Sequence, residues 1–513
     1  MLLADVAATS TALAATRSRL AKRALLVDLL RRTGPDEVPV VARYLAGELR
    51  QRRTGLGWRS LGSLPQPATE PSLDVLEVDA LFEQMASLAG PGSATARSGL
   101  AGRLFAAATA PEQHLLRGLV TGELRQGALD ALLLDAVAEA AGVPPDAVRR
   151  AAMLAGASEP VAAAALAAAD PEDALAALAA FTLTVGRPVR PMLAASAPDV
   201  PAALDGFTGR AVVVDAKLDG IRVQVHRDGD GVRVFTRSLD DITARVPELV
   251  AVVRSLPVRS VVLDGEALAL DPAGRPRPFQ ETASRSATRD AELAEATELS
   301  PFFFDVLHVD GRDLMGEPLT ERLAVLDRVA AGHTVERVVT DDVAAAQAAF
   351  AGWVAAGQEG VIVKDAAAPY EAGRRGGAWV KVKPRHTLDL VVLAVERGSG
   401  RRTGLLSNIH LGARDPAGGF VMLGKTFKGM TDEMLAWQTQ RFSELAVDDD
   451  GWTVRLRPEQ VVEIAFDGLQ RSTRYPGGLA LRFARVLRYR DDKTAAEADT
   501  LETVRALALP TAD

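Results

Sequence analysis

Lysine is rare in this chain, and the few lysines present are candidates for chemistry. Only eight of the 59 basic residues are lysine, and the rest are arginine. A lysine amine can lose its proton and act as a nucleophile, whereas a guanidinium cannot. Lys217 opens the hexapeptide Lys217-Leu218-Asp219-Gly220-Ile221-Arg222, soon after the apolar run Val212-Val213-Val214. Lys22 lacks such a context and is expected to be an ordinary surface charge.

The hexapeptide has the residue types that covalent nucleotidyl transfer to a lysine requires. The apolar run predicts a buried strand that brings Lys217 out at its end. A neutral amine there can attack a phosphorus atom when nearby positive charge and partial desolvation lower its pKa. Gly220 permits a close approach of the backbone. The motifs that follow in the chain add to this hypothesis.

Further polar motifs follow Lys217, each on or beside a predicted strand. They are Thr236-Arg237-Ser238, Asp264-Gly265-Glu266, Phe304-Asp305, Glu359-Gly360-Val361-Ile362-Val363-Lys364 and Trp379-Val380-Lys381-Val382-Lys383. Side chains alternate between the two faces of a strand. Lys381 and Lys383 are therefore predicted to share one face, where both amines can point at the same phosphate groups.

The composition of the sequence changes twice, which predicts three domains, at 1–200, 201–385 and 386–513. The first domain is rich in alanine and leucine at helical spacing and is predicted to be all-α. The second alternates strands with helices and is predicted to be an α+β domain, with its polar motifs at strand ends facing one cleft. Its predicted strands cover 211–218, 221–227, 232–237, 261–270, 302–309, 360–365 and 379–384, and its helices lie near 241–255, 320–331 and 342–356.

The third domain is predicted to be a small β-barrel of the oligonucleotide-binding (OB-fold) kind. Its predicted strands cover 388–397, 407–414, 419–427, 452–457 and 461–468. A single helix is predicted near 431–445. Five short strands around one helix are typical of that barrel.

Composition excludes several classes of protein. The chain has no cysteine, which excludes disulfides, thiol nucleophiles and zinc sites with cysteine ligands. Its formal net charge of −8 means that any contact with nucleic acid must use local basic patches. The N-terminal segment lacks the basic start of a secretory signal, and charged residues interrupt the apolar region at 151–186. We expect a cytoplasmic protein without membrane spans.

The ordered motifs across 205–385 resemble those of ATP-dependent DNA ligases. The end of the chain is similar to the last motif of that family, with Arg482-Phe483-Ala484-Arg485 followed by Arg488, Arg490, Asp492 and Lys493. The helical first domain resembles the family's DNA-binding domain. Two departures occur: Asp215 stands where the family often has glutamate, and Ala484 where it usually has proline.

The resemblance implies a three-step reaction with ATP as co-substrate and Mg²⁺ as cofactor. Lys217 would take AMP from ATP, the 5′-phosphate at a nick would take the AMP, and the neighbouring 3′-hydroxyl would displace it. The terminal Arg/Lys cluster would orient pyrophosphate in the first step. The barrel domain would then swing to meet DNA.

The resemblance also implies a role for each matching residue. Asp215 would contact adenine and Phe304 would stack on it. Arg222 and Arg237 would hold sugar or phosphate oxygens, while Glu266 and Glu359 would bind ribose or Mg²⁺. The groups facing the α-phosphate would be Lys381, Lys383 and Arg375, with Arg374 competing for the last role.

The expected partner is nicked double-stranded DNA, bound by a monomer acting in replication, recombination or repair. The nearest alternative is an RNA ligase or an RNA-capping nucleotidyltransferase, which shares the lysine chemistry. An alternative of another class is a non-catalytic DNA-binding protein that keeps the fold. An NAD-dependent ligase is disfavoured, because such enzymes carry a cysteine zinc module.

Overall fold

The computed structural model describes residues 1–507, apart from residues 52, 125, 128–129, 208, 288–296 and 372–374. The side chains of residues 59, 375, 376 and 401 also lie outside the description. A helical N-terminal region comes first, then a middle region with two sheets, then a C-terminal region with two further sheets. This order is the predicted multidomain architecture.

The N-terminal region is helical because alanine, leucine and valine recur every three or four residues and turn one side of each helix inward. In the first helix, the buried positions include Leu3, Val6 and Leu13. The helices are α1 (Leu3–Ala15), α2 (Arg19–Arg32), α3 (Val38–Ala46), α4 (Val75–Ser87), α5 (Ser93–Ala107), α6 (Ala110–Thr121), α7 (Asp130–Ala141), α8 (Pro145–Ala155), α9 (Glu159–Leu166) and α10 (Pro171–Ala179). Their buried residues form one shared core.

The expectation that Lys22 is a surface charge is wrong. Its residue is 8% exposed on α2, and its Nζ donates to the backbone carbonyl of Gln126 at 2.6 Å. Four methylene groups let the side chain pack along the core while the ammonium finds an oxygen partner. Lys22 therefore joins the first helices to the loop before α7.

The middle region has two mainly antiparallel sheets, interleaved with helices. Its elements are β1 (Leu193–Ser196), α11 (Val200–Asp205), β2 (Val212–Lys217), β3 (Ile221–Asp228), β4 (Gly231–Thr236), α12 (Pro247–Ser255), β5 (Ser260–Ala269), α13 (Phe279–Ala287), β6 (Leu299–Val309), β7 (Arg312–Asp313), α14 (Leu319–Val329), β8 (Arg337–Thr340), α15 (Val343–Ala355), β9 (Gly360–Asp365) and β10 (Arg375–Val382). One sheet has the order β1-β10-β9-β2-β8, and the other β4-β3-β5-β6-β7. All the strands predicted for this region are confirmed.

The helical region is packed directly onto the middle region. Met153 and Leu154 of α8 share a buried cluster with Val189 and Met192, which precede β1. The backbone N–H of Arg190 donates to the carbonyl of Met153 at 3.0 Å. The segment that links the two regions is thus tied to both.

The C-terminal region forms a seven-stranded antiparallel sheet and a two-stranded one, with a core of its own. Its elements are β11 (His386–Arg397), β12 (Leu406–Arg414), β13 (Phe420–Thr426), α16 (Asp432–Leu445), β14 (Ala446–Asp449), β15 (Thr453–Leu456), β16 (Val461–Phe466), β17 (Gly468–Arg471), β18 (Leu479–Arg482), β19 (Arg485–Tyr489) and α17 (Leu501–Ala506). The central strand β11 pairs with β12, β15 and β16. The predicted helix and all five predicted strands are confirmed. Among the described residues, strand pairing does not close this sheet into a barrel.

Membrane insertion has no candidate helix in the part of the chain that the structure describes. None of its helices combines the length and apolar character that a membrane span needs.

Candidate active site

Lys217 is the last residue of β2, and its side chain is 21% exposed. The strand is fixed because Val212–Val214 are buried and paired with both β8 and β9. The Lys217 carbonyl accepts a hydrogen bond from the backbone N–H of Glu359 at 2.8 Å. The Lys217 Nζ forms an ion pair with the Glu359 carboxylate. The predicted nucleophile is therefore half-buried, held by one carboxylate and partly accessible to solvent.

Gly220 allows the turn after Lys217 to lie directly against β5. A Cβ atom at this position would clash with the carbonyl oxygen of Ala267 and would lie 2.9 Å from Cγ of Glu266. A glycine is required because no side chain fits between these atoms. The close approach brings Glu266 beside the segment that carries Lys217.

Glu359 joins two lysines that are distant in the sequence. Its carboxylate forms ion pairs with both Lys217 and Lys383. The Lys383 Nζ also lies 3.1 Å from the Asp467 carboxylate of the C-terminal region. Burial lowers the pKa of Lys383, but these two carboxylates outweigh burial and leave that pKa above its usual value. Lys383 is therefore a positive charge that shares one carboxylate with Lys217.

Glu266 lies opposite Arg222 in the pairing of β3 with β5. Burial raises the pKa of Glu266 to about 7, even though the positive charges of Lys217 and Arg222 oppose the rise. The carboxylates of Glu359 and Asp264 raise it further. Such a group gains from any additional cation placed beside it.

A second cluster combines two aromatic rings with a buried ion pair. Phe304 and Trp379 meet edge to face, with ring centroids 5.8 Å apart. The Lys364 Nζ lies 4.7 Å and 4.4 Å from these two ring centroids and 2.5 Å from Oδ2 of Asp215. Burial raises the pKa of Asp215, and the charge of Lys364 opposes the rise. Phe304 keeps a partly exposed ring, while its neighbour Phe303 is fully buried.

Arg222 lies between this aromatic cluster and the charged group formed by Lys217, Glu359, Lys383 and Glu266. Its guanidinium forms two hydrogen bonds with Asp264, at 3.0 Å and 2.6 Å. The Cζ of Arg222 lies 5.4 Å from the Phe304 ring centroid and 5.8 Å from that of Trp379. The structure thus brings together seven of the predicted residues in one connected group, namely Lys217, Glu266, Arg222, Glu359, Lys383, Phe304 and Asp215.

The remaining predicted residues have different outcomes. Arg237 is exposed in the turn after β4, and Lys381 is half-exposed on β10, where the buried Val382 separates it from Lys383. The alternation predicted for the two lysines is therefore present. The Arg375 side chain and all of Arg374 lie outside the described residues.

The predicted terminal cluster of basic residues divides into two parts. The Arg482 Nη1 lies 2.6 Å from Oδ2 of Asp219, which is two residues after Lys217. Arg490 and Lys493 instead contact the carboxylate of Asp389, with Nη1 at 3.0 Å and Nζ at 2.6 Å. In this arrangement only the first part of the cluster borders the site.

Sequence reasoning missed Asp467 and Trp379 as members of the site. Asp467 directly follows the strand β16, a strand-end position like that of Lys217. Its contact with Lys383 depends on how the C-terminal region packs, which no local pattern reports. Trp379 was visible in the sequence as the first residue of the last lysine motif.

Two family models match the chain. The model described as "ATP dependent DNA ligase domain" matches residues 191–383, and "ATP dependent DNA ligase C terminal region" matches residues 402–493. A "Probable DNA ligase" of Beutenbergia cavernae is 74% identical over 99% of this chain and 100% of its own length. A "Probable DNA ligase" of Kineococcus radiotolerans is 64% identical over 99% of this chain and 100% of its own length.

A solved structure supports the fold over nearly the whole chain. The structure called Pmar-Lig_Pre matches with a TM-score of 0.63 and 20% identity, over 95% of this chain and 99% of that chain. At this identity the match concerns the fold alone. The family models and the relatives of high identity show that the chain belongs to the family of ATP-dependent DNA ligases.

Proposed function

We propose that this protein seals nicks in double-stranded DNA by carrying AMP on Lys217. The observation that carries the proposal is the position of the Lys217 amine, which emerges at a strand end against Glu359 and beside Lys383. An amine held this way can face a phosphate that neighbouring cations neutralise. Positioning and charge neutralisation are the main requirements of phosphoryl transfer.

The proposed reaction has three displacements at phosphorus. The deprotonated Lys217 amine attacks the α-phosphorus of ATP, the bond to the bridging oxygen breaks, and pyrophosphate leaves. A 5′-phosphate oxygen of the nicked strand then attacks the same phosphorus, and the phosphorus–nitrogen bond breaks. Finally the 3′-hydroxyl attacks the 5′-phosphate, loses its proton and displaces AMP.

The residues around Lys217 have proposed roles in holding the nucleotide. Phe304 stacks on the adenine, and Asp215 with Lys364 forms the polar end of that pocket. Arg222 and Arg237 bind sugar or phosphate oxygens. The α-phosphate is faced by Lys381, Lys383 and Arg375. Among these three, Lys383 has the best support, because it shares Glu359 with the proposed nucleophile Lys217.

Mg²⁺ fits the carboxylates of Glu359 and Glu266. Mg²⁺ binds through one or two carboxylates, with water and phosphate oxygens completing its shell. Glu266 and Glu359 supply two such carboxylates, which lie close enough together that, beyond the effect of burial, the charge of Glu359 raises the pKa of Glu266. When bound, the cation would neutralise charge on the phosphates.

Each of the three predicted domains has a proposed assignment. We assign the helical domain (1–200) to DNA binding, the α+β domain (201–385) to adenylation and the C-terminal domain (386–513) to an OB-fold barrel. A monomer acting in the cytoplasm, in replication, recombination or repair, stays a prediction.

The proposal is tested with the purified protein, α-labelled ATP and Mg²⁺. The wild type is expected to retain label after denaturation, and Lys217→Arg to retain none, since a guanidinium keeps the positive charge but cannot attack. Lys425→Arg is the matched control, because Lys425 pairs with Glu396 in the C-terminal region. Label on Lys217→Arg, or none on the wild type, contradicts the proposal.

The acceptor is tested separately. The labelled protein is offered nicked DNA, nicked RNA and RNA with a 5′-triphosphate. Transfer to nicked DNA followed by sealing is expected. Transfer to RNA alone would support the RNA ligase or capping alternative, and an unlabelled protein that binds DNA would support the non-catalytic one.

A further inference from the structure

Tyr370 has no role in the proposed reaction, yet its hydroxyl group is fully engaged beside the nucleotide pocket. The residue is 2% exposed in the segment after β9. Its hydroxyl accepts a hydrogen bond from the backbone N–H of Met192 at 3.0 Å and donates to Oδ2 of Asp264 at 2.7 Å. Burial raises the pKa of Tyr370 well above its usual value, so the hydroxyl remains a donor.

The two partners of Tyr370 are also the two partners of Arg222. Asp264 accepts two hydrogen bonds from the Arg222 guanidinium. The Arg222 Nη1 donates to the backbone carbonyl of Met192 at 2.6 Å. The hydrogen bonds therefore form a closed ring through Tyr370, Asp264, Arg222 and Met192. In this ring, Tyr370 binds the backbone N–H of Met192, and Arg222 binds the backbone carbonyl of Met192.

The ring of hydrogen bonds is placed where it can set the shape of the nucleotide pocket. Arg222 lies over the rings of Phe304 and Trp379, and the Tyr370 ring meets Trp379 edge to face with centroids 6.0 Å apart. Asp264 is fully buried, so each oxygen without a donor carries a large desolvation cost. Loss of one member is expected to loosen the others.

We propose that Tyr370 is a positioning residue that holds Arg222, through Asp264 and Met192, in the orientation that binds ATP. The proposal rests on the function proposed above for Lys217 and Arg222. Without the hydroxyl, the Met192 N–H has lost its buried acceptor and Asp264 one of its donors. The Met192 peptide then shifts and takes Arg222 with it.

The test is Tyr370→Phe, which keeps the ring against Trp379 and removes only the hydroxyl. The KM for ATP in lysyl-adenylate formation is expected to rise about tenfold, with kcat nearly unchanged, as for loss of one buried hydrogen-bond partner. The KM for nicked DNA is expected to stay the same. Tyr489→Phe is the matched control, since it removes a hydroxyl that donates to Gln438 at 2.6 Å in the C-terminal region.

A double-mutant cycle tests whether Tyr370 acts through Arg222. Arg222→Lys removes the planar fork, so adding Tyr370→Phe to it is expected to raise the KM for ATP much less than tenfold. Additive effects, or an unchanged KM for ATP in Tyr370→Phe, overturn the inference. A wild type that forms no lysyl-adenylate would instead defeat the underlying function.

Hydrogen exchange on the wild type tests the same coupling without any variant. If the bond between Met192 and Tyr370 favours ATP binding, ATP must stabilise that bond by the same factor. The amide of Met192 is therefore expected to exchange more slowly when ATP is added. An amide whose exchange rate is the same with and without bound ATP overturns the inference, even where Tyr370→Phe does not fold.

Discussion

Arg482 and Asp219 are 263 residues apart in the chain, yet Nη1 of Arg482 lies 2.6 Å from Oδ2 of Asp219. Asp219 follows Lys217 by two residues, and Arg482 is the last residue of β18 in the C-terminal region. The Arg482 Cζ also lies 5.1 Å from the ring centroid of Phe279. A cation of the C-terminal region is thus held beside the segment that carries Lys217.

Arg482→Ala is expected to slow lysyl-adenylate formation at least about tenfold. A charge-assisted hydrogen bond contributes about 1.5–3 kcal/mol, which corresponds to roughly a ten- to hundredfold effect. Sealing of a preadenylated nick is expected to keep most of its rate if the C-terminal region swings to meet DNA after the first step, as the family resemblance implies. The two steps are measured separately, by single-turnover labelling and by sealing without ATP.

The matched control for Arg482 is Arg455→Ala. The Arg455 side chain is 74% exposed, and its Nε lies 3.9 Å from a carboxylate oxygen of Asp448. Exposed pairs of this kind contribute little, so both steps are expected to keep their rates. Equal slowing of both steps by Arg482→Ala would contradict a role specific to the first.

Gly220→Ala is expected to destabilise the protein by about 1–3 kcal/mol, as forced overpacking does. The new Cβ would clash with the backbone carbonyl of Ala267, which cannot move without disturbing β5. Glu266 would be displaced with it, so lysyl-adenylate formation is expected to fall as well. Thermal unfolding and the labelling assay measure the two effects.

Gly102→Ala is the same chemical change at a position with free space. Gly102 is exposed on α5, and apart from the adjoining backbone of its own helix a Cβ there would have no neighbour within 4 Å among the described residues. Alanine in a helix interior is favoured over glycine by up to about 1 kcal/mol, so this variant is expected to be slightly more stable. A neutral Gly220→Ala would show that the close approach to β5 is not required.

The sequence was sufficient to predict the main strands and the motifs at their ends. Runs such as Val212–Val214 identify a strand by β-branched residues alone, and the strand's end then places Lys217. Alternation likewise separates Lys381 and Lys383 from the buried Val382. These patterns are local in the sequence, so they can be interpreted without a structure.

The contacts that long-range packing creates could not be predicted. Asp467 meets Lys383, and Arg482 meets Asp219, only because the C-terminal region docks on the middle one. Short strands such as β7 and β17 exist through pairing with a neighbour and carry no pattern of their own. The burial of Lys22 could not be predicted either, because a charged residue on a helix is usually solvated and its carbonyl partner lies 104 residues away.

The buried pair of Asp215 and Lys364 predicts a strong dependence of stability on each partner. Asp215→Asn leaves the Lys364 ammonium buried without its carboxylate, which is expected to cost about 3 kcal/mol. Adding Lys364→Met to that variant removes the stranded charge and is expected to restore part of the loss. Unfolding in urea gives the free energies. If the double variant loses the sum of the free energies that Asp215→Asn and Lys364→Met each lose alone, the two residues do not interact.

The raised pKa of Glu266 predicts that the stability of the protein depends on pH. The charged form, which the proposed function assigns to Mg²⁺, is the form that destabilises the fold. Its pKa is about 7 in the folded protein because of burial, against an ordinary value of 4.5. Between these values the folded protein retains a proton that the unfolded chain has lost. This group therefore favours the folded state below pH 4.5, and the contribution disappears as the pH rises through 7.

Glu266→Gln is accordingly expected to raise the unfolding temperature by a few degrees at about pH 8 and to change it little at about pH 5. At the lower pH the wild-type carboxyl is protonated and is a close match for the amide. Lysyl-adenylate formation is expected to fall at about pH 8, where the proposed function assigns the wild-type carboxylate to Mg²⁺ and the amide cannot replace it. Thermal scans without Mg²⁺ measure the first effect.

The control for Glu266 is Glu459→Gln, at a side chain that is 52% exposed and pairs with Arg457. This substitution is expected to leave the unfolding temperature unchanged at both pH values, since an exposed carboxylate has almost the same environment in the unfolded chain. A Glu266→Gln variant that is less stable than the wild type at about pH 8 would mean that nearby cations outweigh burial. Glu266 would then be a stabilising ion-pair partner, and its carboxylate would not need a further cation.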